Sequence, residues 1–132
     1  MKGRPADCPF CPKLGGKVQG ATRRPVWDRV RSSVSVWGAQ VVGGVYAVFE
    51  PLNPVTPGHL LVVPAEHVEH AKAAPNVAAG AMEVAATIAK RYRSANIITS
   101  IGVPATQSVR HLHLHVVPRH KNDGLLLPWS AQ

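Results

Sequence analysis

The stretch Gln107-Ser108-Val109-Arg110-His111-Leu112-His113-Leu114-His115-Val116-Val117-Pro118-Arg119 decides how this chain is read. Histidine and aliphatic residues alternate through it. Successive side chains on a β-strand point to opposite faces. The alternation therefore predicts a strand over Val109–Val117, ended by Pro118, which brings no ladder donor. His111, His113 and His115 share one face. Leu112, Leu114 and Val116 share the other, where they can fill a core.

Working outward, that core needs a helix. Val77, Ala81, Val84, Ala85, Ile88 and Tyr92 recur at helical spacing and predict a helix over Asn76–Arg93, entered at Pro75. Val45–Phe49, His59–Val63 and Ile97–Ile101 read as strands, with His59–Val63 apolar enough for a buried central position. Val34, Val36, Val41 and Val42 suggest short extended pieces broken at Gly38 and at Gly43-Gly44. Glu50–Pro54 carries two prolines and reads as a loop, and Ala65–Lys72 as a short helix. The apolar tail Leu125–Leu127 with Trp129 is expected to dock on the body. Strands grouped around one long helix give an α+β fold with an antiparallel sheet. There is no regular βαβ alternation and no glycine-rich phosphate loop, which argues against a doubly wound nucleotide fold.

The chain has 132 residues, enough for one domain and one core. Its 17% charged residues carry a formal net charge of +8, which favours anionic partners such as nucleotides or nucleic acid. The basic residues concentrate early, from Lys2 to Arg31. Residues 1–25 read as a Gly/Pro-rich basic arm and residues 26–132 as the body of a single domain, which carries the histidine strand. Cys8 and Cys11 are spaced poorly for a structural disulfide and well for a metal chelate or redox pair. Neither a signal-peptide core nor an apolar run of bilayer length is visible, so a cytoplasmic location without membrane contact is expected.

Three histidines on one face are costly to bury without partners. One reading is a row of surface histidines on an edge strand. A second is metal ligation, since His-x-His on a strand can chelate. A third is nucleophilic chemistry by neutral imidazole, which can attack phosphorus near pH 7 without a strong base. Chemistry favours the third. A phosphoryl group in transfer needs donors around its oxygens, and Gln107, Ser108, a second histidine and backbone N–H groups can supply them. A hydrolytic metal centre usually adds a carboxylate, and none lies near this strand in sequence.

These residues resemble the signature of the histidine-triad (HIT) superfamily, His-φ-His-φ-His-φ-φ with φ apolar. The segment Asn53–His67, with Pro57-Gly58-His59 and Val62-Val63-Pro64, is similar to the family's strand and turn ahead of its helix. Cys8-Pro9-Phe10-Cys11 resembles the Cys-x-x-Cys opening of bacterial members. The resemblance implies an α+β fold with a five-stranded antiparallel sheet, one long and one short helix, and a homodimer whose two sheets join. It also implies attack by His113 on the α-phosphorus of a purine nucleotide. A nucleotidyl-histidine would form, and water would release the monophosphate without a catalytic cofactor. His115 would donate to phosphate oxygens. Gln107 and Ser108 would orient phosphate and leaving group, and His111 would fix the site's orientation. A structural zinc would be held by Cys8, Cys11, His67 and His111. His59 is the rival ligand or else a satisfied core histidine, and His70 and His120 are expected to face solvent.

The sequence departs from that pattern in two loops. Pro51 stands where many members carry the acidic residue or Asn that holds the ribose, leaving Glu50 or Asn53 to substitute. Ser100 stands nearest the usual Asn, and Thr106 replaces the Gly before Gln107. The substrates implied are nucleoside phosphoramidates or dinucleoside polyphosphates. The alternatives are a DNA-adenylate hydrolase, favoured by the basic arm, and a nucleotide sensor without turnover, favoured by the altered ribose loop. A metallohydrolase using the triad as ligands is more remote.

Overall fold

The computed structural model describes residues 8–11, 28–30, 36–41 and 44–129. Most of the arm expected over 1–25 lies outside these residues, as does Val34. Six strands form one antiparallel sheet among the described residues: β1 (Asp28–Val30), β2 (Val36–Val41), β3 (Gly44–Phe49), β4 (Leu60–Pro64), β5 (Ala95–Ile98) and β6 (Leu114–Pro118). Their order is β1-β2-β3-β4-β6-β5, so β4 is central and β5 lies at an edge. The sheet is α+β and antiparallel as the alternation predicts, but holds six strands rather than five. The extra one is the three-residue β1, paired to β2. β2 runs through Gly38 unbroken.

Helix α1 (Pro75–Ala89) begins with proline at its first position and buries Val77, Gly80, Ala81, Val84, Ala85 and Ile88. It stops short of Arg93. The chain tightens there, with Arg91 N–H donating to Ile88 O and Tyr92 N–H to Ala89 O. Tyr92 still packs on the core, and its hydroxyl donates to Gly58 O at 3.0 Å. The short helix expected over Ala65–Lys72 contracts to one 3-10 turn at Ala71–Ala73.

Period-two alternation divides the core between the two sheet faces. Tyr46, Val48, Leu60, Val62, Leu114 and Val116 turn toward α1. Ala47, Phe49, Leu61 and Val63 turn the other way and pack on Cys8, Phe10 and Cys11. The helix lies so close to the sheet that a Cβ at Gly80 would collide with the Tyr46 hydroxyl, which donates to Val77 O at 2.8 Å. Arg119 fastens the tail through bonds to Asp123, the Asn96 side chain and the Leu125 carbonyl. Leu125 and Leu127 are half-buried, while Leu126 and Trp129 stay exposed. No helix among the described residues is long and apolar enough to cross a membrane.

Candidate functional site

The predicted histidine strand is shorter than its sequence pattern. Only His115 lies within β6; His111, at a bend, and His113 precede it outside the ladder. Leu112 N–H leaves the ladder and donates to Val68 O at 2.6 Å. The facing nevertheless holds, because Leu112 and Leu114 enter the helix-side core while the three histidines turn to the other face.

His113 and His115 line a cavity of about 390 Å3 with His59, Ser100, Thr106, Gln107 and Ser108. Much of the remaining lining is apolar, from Val55, Ile98, Val117 and Leu125–Leu127. The hydrogen bonds determine which nitrogens carry protons. His113 Nδ1 lies 2.8 Å from the His111 carbonyl, which can only accept. Nδ1 is therefore protonated and Nε2 bears the lone pair. Burial lowers the His113 pKa, partly opposed by that bond, so the ring is neutral near pH 7.

A second chain of bonds orders His115. Val55 N–H donates to His59 Nδ1 at 3.1 Å. His59 Nε2 must then be the protonated nitrogen of its neutral ring, and it donates to His115 Nδ1 at 2.9 Å. His115 is left with its proton on Nε2, a donor at the cavity. Burial, then repulsion from His113 and His59, brings the His115 pKa down to about 4. Burial also lowers that of His59. A neutral acceptor, His113 Nε2, thus stands beside a neutral donor, with ring centroids 5.1 Å apart.

His59 is the part of this arrangement that the sequence understates. It is buried and paired with His115, away from the cysteines. Its parity with Leu61 and Val63 is the signal, since that face of β4 lies beside the histidine face of β6. Gln107 is also placed differently from a residue waiting for a ligand. Its side chain accepts from Gly102 N–H and donates to Glu69 O and Val109 O, bracing the loop. Glu50 and Asn53 are exposed and do not line the cavity. Thr106 adopts the left-handed region, φ 69°, at the position where it replaces the family's glycine. His120 is exposed as expected, whereas His70 is half-buried, with its Nδ1 enclosed.

The second cluster is Cys8, Cys11, His67 and His111, whose donor atoms all lie within 4.8 Å of one another. Cys8 Sγ is 3.4 Å from His111 Nδ1, Cys11 Sγ 3.4 Å from His67 Nδ1, and the two Nδ1 atoms are 3.0 Å apart. Tetrahedral zinc with two sulfur and two nitrogen ligands has edges of about 3.3–3.8 Å. His111 Nε2 donates to Pro64 O at 2.8 Å, so its Nδ1 is unprotonated and available as a ligand. The donor set fits a divalent metal, and these residues could bind one.

The comparisons agree with this geometry. The HIT domain family model matches residues 44–122, and the chain belongs to the HIT family. Adenosine 5'-monophosphoramidase HNT1 of Saccharomyces cerevisiae is 32% identical over 88 residues, covering 64% of this chain and 56% of that protein. The asymmetrical bis(5'-nucleosyl)-tetraphosphatase of Schizosaccharomyces pombe is 34% identical over 84 residues, covering 58% of this chain and 46% of that one. A zinc-bound histidine triad family protein from Mycobacterium smegmatis superposes with a TM-score of 0.65 at 27% identity, covering 92% of this chain and 81% of the other. The chain spans less than two thirds of the length of the curated relatives it matches.

Proposed function

We propose that this chain is a nucleotide hydrolase or transferase. It would cleave nucleoside phosphoramidates or dinucleoside polyphosphates at the α-phosphate through a nucleotidyl intermediate on His113. The observation that carries this reading is the bond from His113 Nδ1–H to the His111 carbonyl, which leaves Nε2 as the nucleophilic nitrogen. Nε2 attacks phosphorus, the P–N or P–O bond to the leaving group breaks, and the leaving group departs with the electron pair. Water then attacks the same phosphorus, the bond to Nε2 breaks, and the nucleoside monophosphate is released. His115 Nε2–H and Ser108 donate to the phosphoryl oxygens as charge develops. Ser100 adds polar lining, and Gln107 acts by holding the Gly102–Val109 loop. The phosphoramidase and tetraphosphatase relatives support these two substrate classes.

The cysteine–histidine cluster is assigned a structural zinc, supported by its donor set and by the zinc-bound relative. The edge position of β5 suits a homodimer formed by joining two sheets; light scattering would return twice the chain mass. The test of the chemistry is a rapid-quench reaction with adenosine phosphoramidate under alkaline conditions that preserve a P–N bond. Mass spectrometry should find adenylate on His113. His113→Ala should fold and lose turnover. A His113→Ala variant with full activity would remove the nucleophile assignment, and tight nucleotide binding without adduct or product would favour a sensor.

A further inference from the structure

The hydrogen bond to His111 fixes one nitrogen of His113, and neighbouring rings hold its plane, His115 at 5.1 Å among them. Phe10 is another: its ring meets the His113 ring with centroids 5.2 Å apart at 78°. Phe10 also stands edge-to-face with Phe49 at 5.7 Å and His111 at 5.8 Å, and is 7% exposed. It is therefore locked among rings and cannot yield easily when His113 turns. Phe10 occupies this place because it sits between Cys8 and Cys11, whose sulfurs lie 3.4 Å from His111 and His67 nitrogens. The residue that packs on the nucleophile is thus inside the metal-binding turn.

A second route joins the same two regions. Val68 and Glu69, the residues after His67, accept bonds from Leu112 N–H and the Gln107 side chain. His111, a member of the metal cluster, supplies the carbonyl that holds His113. His111 is therefore part of the catalytic segment, and His67 is joined to it through its covalent neighbour Val68 and the bond from Leu112.

We propose that Phe10 is a positioning residue for His113, and that the Cys8–Cys11 turn sets the orientation of the nucleophile in addition to fastening the chain. This rests on the nucleophile assignment above for its consequence in turnover, but not for its geometry. A neutral imidazole must present Nε2 in line with the breaking bond, and misplacement by about 1 Å can cost about a hundredfold. Phe10 makes no contact with substrate in this scheme, so its loss should act on kcat and leave KM nearly unchanged.

The test compares Phe10→Leu and Phe10→Tyr with the native chain, each loaded with zinc. Phe10→Leu keeps bulk without a ring and should lower kcat by about tenfold or more, with zinc content, melting temperature and KM near native. Phe10→Tyr should restore most of the rate. The readout independent of activity is NMR. Nuclear Overhauser contacts between the Phe10 and His113 rings should be present in the native protein. The His113 ring-proton shifts should move in Phe10→Leu and again when a chelator removes the metal, while those of His59 stay in place. The proposal is overturned if Phe10→Leu retains native kcat, or if the native ring-to-ring contacts are absent. Should Phe10→Leu fail to fold, His113 shifts in the native chain that ignore chelation overturn it equally. If the shifts behave as expected but His113→Ala keeps activity, the nucleophile reading fails and the structural coupling stands.

Discussion

His115 makes the stability of this protein sensitive to acid. Its pKa falls from the ordinary 6.5 to about 4, first through burial and then through repulsion from His113 and His59. Between those two values the unfolded chain takes up a proton that the folded chain refuses. Stability therefore rises with pH through that window and is lost as pH falls through it. The full shift corresponds to at most about 3–4 kcal/mol. Solvent reaches the ring through the cavity, and we reduce the figure to about 2 kcal/mol. Urea unfolding at about pH 7.5 and about pH 4.5 should show the loss in the native chain. His115→Gln removes the titrating ring and should lose about 2 kcal/mol less over the same interval. Taking the difference between the two chains cancels the acid sensitivity that both share at the cysteine–histidine cluster. Parallel curves for the two proteins would refute the reasoning.

Three other outcomes test the fold and the metal cluster. Gly80→Ala drives a methyl into the Tyr46 hydroxyl and should cost about 2 kcal/mol in chemical denaturation; placing it in a Tyr46→Phe background should reduce that increment, and strict additivity would contradict the contact. Thr106→Gly relieves a β-branched residue at positive φ, offset by the glycine's entropy. It should raise stability by up to about 1 kcal/mol, whereas a loss of similar size would mean that the Thr106 side chain contributes more than its backbone costs. Elemental analysis should find one zinc per chain, and Cys8→Ser or prolonged chelation should lower Tm by about 10 °C; an unchanged Tm with metal gone would show that the cluster does not brace the fold.

Facing was legible in the sequence because it depends only on local alternation. Leu112, Leu114 and Val116 had to oppose the histidines, and they do so although the ladder covers only Leu114–Pro118. Strand length was not legible, because it was decided by a partner distant in the chain: Val68 O takes the Leu112 N–H. The same limit hid the role of His59. A histidine beginning an apolar strand reads as a ligand or a core residue until the pairing of β4 with β6 places it beside His115. The metal set Cys8, Cys11, His67 and His111 came from the family pattern; spacing alone identified only the two cysteines. Phe10 was passed over because nothing local separates an aromatic that fills space from one that holds another ring. The apolar tail was expected to dock, but the agent that fastens it, Arg119 with Asp123, emerges only from the geometry.

The committed guanidinium of Arg119 has one more consequence. Among the described residues it is the only lysine or arginine lining the cavity, and its nitrogens are engaged by Asp123, Asn96 and Leu125. His59, His113 and His115 are uncharged at neutral pH. The described lining thus greets an anion with oriented dipoles rather than a spare cation. Binding to these dipoles releases no counterion, so their share of the affinity would be nearly indifferent to ionic strength even though the chain as a whole is strongly basic. The long-range pull of the net charge and the short-range contacts of the cavity would then answer differently to salt, which would slow the arrival of an anion more than it would hasten its departure from these dipoles.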